Sequence, residues 1–174
     1  MIHLVDSYRF VDFMTRKVVE GWVAKEERMA EERPREIPWT PIDRPLHECR
    51  IAAISSGGIA LKTDEPFDGE IERQDPWRSD PSFRVLPSTA TEEDVEIHHL
   101  HIDPSFGHQD LNCVLPLQRL AELEASGELG SVAPRHYSFM GYTTDASTLL
   151  ENSVPSMVRC LQEDQVDLVL LVPI

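Results

Sequence analysis

Residues 50–58 read RIAAISSGG. Ile51, Ala52, Ala53 and Ile54 form an apolar run without polar alternation, the pattern of a strand buried on both faces, and Ser55, Ser56, Gly57 and Gly58 close it with a tight loop. Such a strand belongs at the centre of a sheet. A second run of this kind spans Val166 to Val172, and between the two runs strand patterns alternate with helix patterns. Phe83 to Leu86, Val95 to His101 and Ser131 to Tyr137 are expected as strands. Pro116, whose missing amide suits a first helical turn, opens the helix LQRLAELEASG, and Leu149, Leu150, Val154, Met157, Val158 and Leu161 mark a last helix over about 145–164. The fold class is therefore α/β over residues 50–174, with a mostly parallel or mixed sheet flanked by helices.

Upstream, Phe10, Phe13, Met14, Val18, Val19, Trp22 and Val23 recur at three- and four-residue spacing and predict an amphipathic N-terminal helix within residues 1–36. Residues 37–49 carry Pro38, Pro41 and Pro45 and read as a Pro-rich arm that Trp39 can pin. Residues 62–90, rich in Asp, Pro, Ser and Glu, read as a surface excursion.

The 174 residues are 41% apolar, a globular proportion, and 31 acidic against 16 basic residues give a formal charge of -15. That charge repels nucleic acid and anionic membranes. The first residues form no signal peptide and no window approaches the roughly 20 apolar residues of a membrane span, so a cytoplasmic location and no membrane partner are expected. Cys49, Cys113 and Cys160 are odd in number and form no CxxC, so reduced thiols are expected.

The densest group of reactive side chains is IHHLHIDPSFGHQD, with His98, His99, His101, Asp103, His108 and Asp110. On a strand, His99, His101 and Asp103 would share a face, and with His136 downstream the histidines could form a divalent-metal set of His99, His101 and His136. The plainer reading is a polar strand end whose imidazoles bond to backbone and solvent. Ser56, Gly57 and Gly58 could receive a carboxylate or phosphate, or could simply form a glycine turn; no GxGxxG supports a nucleotide. Arg135 beside His136 could hold a substrate carboxylate. Cys113 lies near the start of a helix and is more often merely buried in such a place.

Four stretches in order, PWTPIDRPLHECRIAAISSGGIALK, HIDPSFGHQDLNCVLPLQRLAELEASGELGSVAP, RHYSFMGY and LQEDQVDLVLLVPI, resemble the selenoprotein B group of glycine, sarcosine, betaine and D-proline reductases. The resemblance runs from about Pro38 onward. Its most specific feature is HQD-x-N followed by an apolar-Pro-apolar step and RL.

The resemblance implies a component of a selenol- or thiol-dependent reductase that cleaves the C–N bond of a small carboxylate-bearing substrate, with partner subunits or a homo-oligomer and a thiol electron donor. It also implies that the strand matching VDLVLLVPI is followed at once by a catalytic cysteine or selenocysteine. Residue 174 stands just before that position, so the α/β domain is expected to be incomplete at its C-terminus, through a selenocysteine codon read as stop or a split into two chains. His99, His101, Asp110 and His136 are then supporting candidates around a redox residue that this chain lacks. No cofactor is expected apart from a possible divalent metal. Two other readings stay open: a metal-dependent enzyme built on the histidines, and a non-catalytic subunit that completes a partner.

Overall fold

The structure is a computed structural model that describes residues 40–174 except 75–77, 142, 144 and 145, with Gly21, Ala24 and Arg28 upstream; the side chains of residues 72 and 73 are also outside the description. The chain forms two compact units, Met1–Pro41 and Ile42–Ile174. In the first, Gly21, Ala24 and Arg28 are helical. The rest of the expected amphipathic helix and Trp39 lie outside the described residues.

In the second unit the apolar run becomes β1, Arg50–Ser55, and the later run becomes β7, Leu168–Val172. Their pairing is parallel, from Ile51↔Leu168 to Ser55↔Val172. Because Ile51 also pairs with Val132 and Ile54 with Tyr137, the other side of β1 holds β5, Ser131–Val132, and β6, Arg135–Phe139, both parallel to it. β1 is thus central, and β3, Phe83–Pro87, adds antiparallel to β6. After the glycine loop, β2, Ile59–Leu61, pairs antiparallel with β4, Val95–Ile97, as a separate two-stranded sheet. The sheet is mixed, as its sequence pattern implied.

Helices flank the sheet, with Leu171 of β7 left exposed. Short helices α1, Gly69–Gln74, and α2, Ser105–Gln109, precede α3, Leu117–Ala125, whose Leu117 and Leu120 join Ile51, Ala53, Leu115 and Leu129 in the main core. At about 25 cal/mol per Å2 such fully buried leucines contribute roughly 2 kcal/mol each. The last helix, α4, Val154–Glu163, begins after a widened π turn, Leu149–Ser153. Pro155 explains the widening: it has no amide to donate and its ring crowds the preceding turn, so Val154 N–H reaches back to Leu149 instead.

Two sequence expectations need correction. The strand expected over Val95 to His101 stops at Ile97. His98 N–H still donates to Gly58 O at 2.9 Å, but Leu100 and His101 already turn, ahead of Asp103 and Pro104. The strand expected over Ser131 to Tyr137 is broken at Ala133 and Pro134, because Pro134 carries no amide for a ladder.

Candidate functional site at the carboxyl ends of the strands

In an open α/β sheet, ligands collect beyond the carboxyl ends of the parallel strands. Here that region is built by the loop Ser55 to Gly58. Ser55 Oγ accepts from Gly57 N at 3.1 Å, Gly58 N donates to Phe139 O at 3.0 Å and Ile59 N to Ser138 Oγ at 2.8 Å. Gly58 has φ +61°, which favours glycine, and any Cβ there would overlap the Met140 sulfur. Ser56 binds both neighbours: its N–H donates to Val172 O at 3.1 Å and its carbonyl accepts from Gly141 N at 2.8 Å. Its hydroxyl accepts from Ile174 N at 2.8 Å and donates to Ile174 O at 3.3 Å.

Ser56, Gly57 and Gly58, expected to receive a substrate anion, therefore have their amides engaged within the protein. The loop is a crossing point of backbones. Beside it a cleft of about 360 Å3 opens between Ile54, Phe139, Gly141, Thr143, Leu171 and Pro173. Its walls are mostly apolar side chains, and Ser56 and Thr143 supply its hydroxyls.

His99 is buried next to this loop. A Cβ on Gly141 would sit 2.9 Å from His99 Nε2 and 2.8 Å from Ser56 O, so the missing side chain at 141 lets imidazole and loop approach. His99 Nδ1 accepts from His101 N at 3.2 Å, and the two rings meet edge to face at 5.9 Å, with His101 exposed. The acceptor role of Nδ1 places the proton of a neutral His99 on Nε2, the nitrogen beside Gly141. The sequence signal for Gly141 is a glycine two residues past the end of β6, in RHYSFMGY. His98 turns away, its ring 5.9 Å from that of Phe67, and burial pushes its pKa down.

The remaining candidates lie elsewhere. His136 is fully buried within the sheet, where its Nδ1 accepts from Ala53 N at 2.9 Å. Burial pushes its pKa down to about 4, against smaller opposing effects of the Ala133 main chain and the Asp164 carboxylate. The metal set of His99, His101 and His136 is thus not assembled: among the described residues, no group of three or more His, Cys, Asp or Glu side chains could hold a metal ion. Arg135 is engaged within the protein. Its Nε and Nη2 grip Asp164 at 2.7 and 2.8 Å, and Nη2 also meets Glu163 at 3.0 Å and Cys160 O at 3.1 Å.

Asp110 belongs to a capping relay. It accepts from Asn112 N at 3.0 Å and Asn112 Nδ2 at 2.7 Å, bonds that lower its pKa, and Asn112 Oδ1 in turn accepts from Gln118 N at 3.1 Å in the first turn of α3. The most specific motif of the sequence thus fixes a helix start. Asp103 does the same for α2, accepting from Ser105 N at 2.9 Å.

A family model described as glycine/sarcosine/betaine reductase selenoprotein B matches residues 3–173. The chain belongs to this family. Among curated relatives of the selenoprotein B family, it is 31% identical over 133 residues to the D-proline reductase subunit gamma of Acetoanaerobium sticklandii, covering 76% of this chain and 52% of that protein. It is 27% identical over 143 residues to the glycine reductase complex component B subunit gamma of Carboxydothermus hydrogenoformans, with 80% of this chain and 31% of the relative covered. The corresponding subunit of Symbiobacterium thermophilum is 26% identical over 145 residues, 81% and 32%. This selenoprotein B family chain therefore spans about half to a third of the length of the curated relatives it matches. No solved structure matches it. No helix among the described residues is long and apolar enough to cross a membrane.

Proposed function

We propose that this chain is the substrate-positioning part of a selenol- or thiol-dependent reductase that cleaves the C–N bond of a small carboxylate-bearing amine. Family membership supports the reaction class, and the relatives' names as subunits of reductase complexes support protein partners. The observation that carries the reading is where the cysteines lie relative to the cleft. Cys49 is buried against Pro45 O, before β1; Cys113 is exposed in the turn before α3; Cys160 sits half-buried in α4, its carbonyl bonded to Arg135. None lines the cleft.

Reductive C–N cleavage takes two electrons and two protons, turning the substrate into a C–H product and a free amine while a thiol donor becomes a disulfide. Hydroxyls and imidazoles can orient a substrate and move protons, but they supply no electron pair. The redox group must then reach the cleft from outside these 174 residues, attached beyond β7 or carried by a partner chain. We assign proton traffic at that cleft to His99, which does not line it but whose Nε2 lies beside the lining residue Gly141, with the His101 ring against its own.

The test is to recover the tagged chain with its native partners and measure dithiol-dependent consumption of D-proline, glycine, sarcosine and betaine. Turnover of one of them by the assembly, reduced at least about tenfold by His99→Ala, is expected. An assembly inactive on all four would overturn the reading. A second reading, a non-catalytic subunit that completes a partner's sheet, draws on β7: among the described residues it pairs with β1 alone, and Leu171 is 69% exposed. An active assembly that His99→Ala leaves unchanged would favour that reading.

A further inference from the structure

His136 offers an inference independent of the reaction proposed for the cleft. Between the pairs Ile51↔Val132 and Ile54↔Tyr137, three steps along β1 span five along its partner, so the partner gains two residues at Ala133 and Pro134. Ala133 N–H still donates to Ile51 O at 2.8 Å, which shows that the odd-numbered main-chain groups of β1 face this side. In a parallel ladder the groups of Ala53 face the same way and need an acceptor from the partner strand. The backbone there has bulged away, and Ala53 is fully buried, beyond the reach of water. Its amide finds His136 Nδ1 at 2.9 Å instead.

We infer that His136 is a positioning residue: its neutral imidazole takes the place of a main-chain carbonyl at the β5–β6 break and thereby locks the two-residue slip between β1 and β6. The slip determines which β6 residues meet the glycine loop. With it in place, Ser138 Oγ receives Ile59 N–H, Phe139 O receives Gly58 N–H, and Gly141 N–H reaches Ser56 O. A shift by one residue would turn Ser138 to the opposite face and detach the loop that forms one wall of the cleft. The role demands the tautomer with the proton on Nε2, because Nδ1 must accept. Asp164, the charged group that acts on the ring, is itself held by Arg135, and burial keeps the imidazole uncharged.

The test uses 15N-labelled full-length chain at neutral pH. Expected are a His136 ring protonated on Nε2 alone and a through-hydrogen-bond N–N coupling between the Ala53 amide and His136 Nδ1. His136→Phe, which keeps a flat ring and removes the acceptor, should cut the exchange protection of the Ala53 amide by about tenfold or more, whereas His136→Gln, which offers a carbonyl, should recover part of it. A ring protonated on Nδ1, an absent coupling, or unchanged Ala53 protection in His136→Phe would overturn the inference. If His136→Phe does not fold, the wild-type tautomer and coupling still decide.

Discussion

The two ends of the central sheet are fastened by different chemistry. At the amino end the fasteners are ionic. Arg135 grips Asp164 and Glu163, Arg50 donates to Asp164 O at 2.7 Å, and Asp167 accepts the Arg50 amide at 2.8 Å and pairs with Arg44 at 3.1 Å. At the carboxyl end they are neutral: the hydroxyls of Ser55, Ser56 and Ser138 and the amides of Gly57, Gly58 and Gly141. Charged side chains thus tie the crossover helix α4 to the strand starts, and the cleft at the other end is lined mostly by apolar groups, with the His99 imidazole beside its Gly141.

The largest expected effect breaks the ionic end. Arg135→Ala should lower stability to urea by about 3 kcal/mol, because it strands the carboxylate of Asp164, whose side chain is only 12% exposed. Ser56→Ala should cost about 1 kcal/mol in the same assay, as expected for a neutral hydrogen bond. Equal losses would erase the contrast between the two ends.

Acid should act next, through His136 between them. Its folded pKa of about 4 lies below the ordinary 6.5, so the unfolded chain takes up a proton that the folded chain refuses. The resulting stabilisation is fully present above pH 6.5 and is lost as pH falls toward about 4, by roughly 3 kcal/mol in all. Urea midpoints between pH 4 and 7 should therefore rise with pH, and His136→Gln should flatten that rise. A wild-type profile already flat over this window would contradict the buried neutral imidazole.

At the carboxyl end, Gly141→Ala should destabilise by about 2 kcal/mol, since its methyl meets the Ser56 carbonyl at 2.8 Å. Away from both ends, Asn112→Ala should cost about 1 kcal/mol by uncapping α3. A thermal melt of each variant checks both values, and a Gly141→Ala loss smaller than that of Asn112→Ala would mean the loop yields more easily than its geometry implies.

Part of the scaffold was legible in the sequence because continuous apolar runs have few placements: β1 is the inner strand its pattern implied and Pro116 marked the start of α3, whereas the equally apolar β7 pairs, among the described residues, with β1 alone and leaves Leu171 exposed. The breaks were harder. Pro134 inside an expected strand was a visible warning, yet the compensation by His136 depends on a side chain crossing to another strand, which no local pattern encodes. The histidine stretch misled because alternation was extended past Ile97 into a turn heralded by Asp103 and Pro104. Arg135 and Asp110 were hard to read for another reason: ion pairs and caps use the same side chains as substrate sites, and their partners, Asp164 and Asn112, are recognised only once the chain is folded. Gly141 matters through the atoms it leaves room for, which composition does not reveal.

The redox nucleophile proposed for the cleft is none of this chain's three cysteines. Alkylating the active assembly with iodoacetate, with and without substrate, and mapping the substrate-protected label by mass spectrometry tests this directly. The protected label is predicted to fall outside Cys49, Cys113 and Cys160, and Cys113→Ser should leave turnover unchanged. A substrate-protected label on Cys113, with turnover abolished by Cys113→Ser, would contradict it and move the site from the carboxyl ends of the strands to the turn before α3.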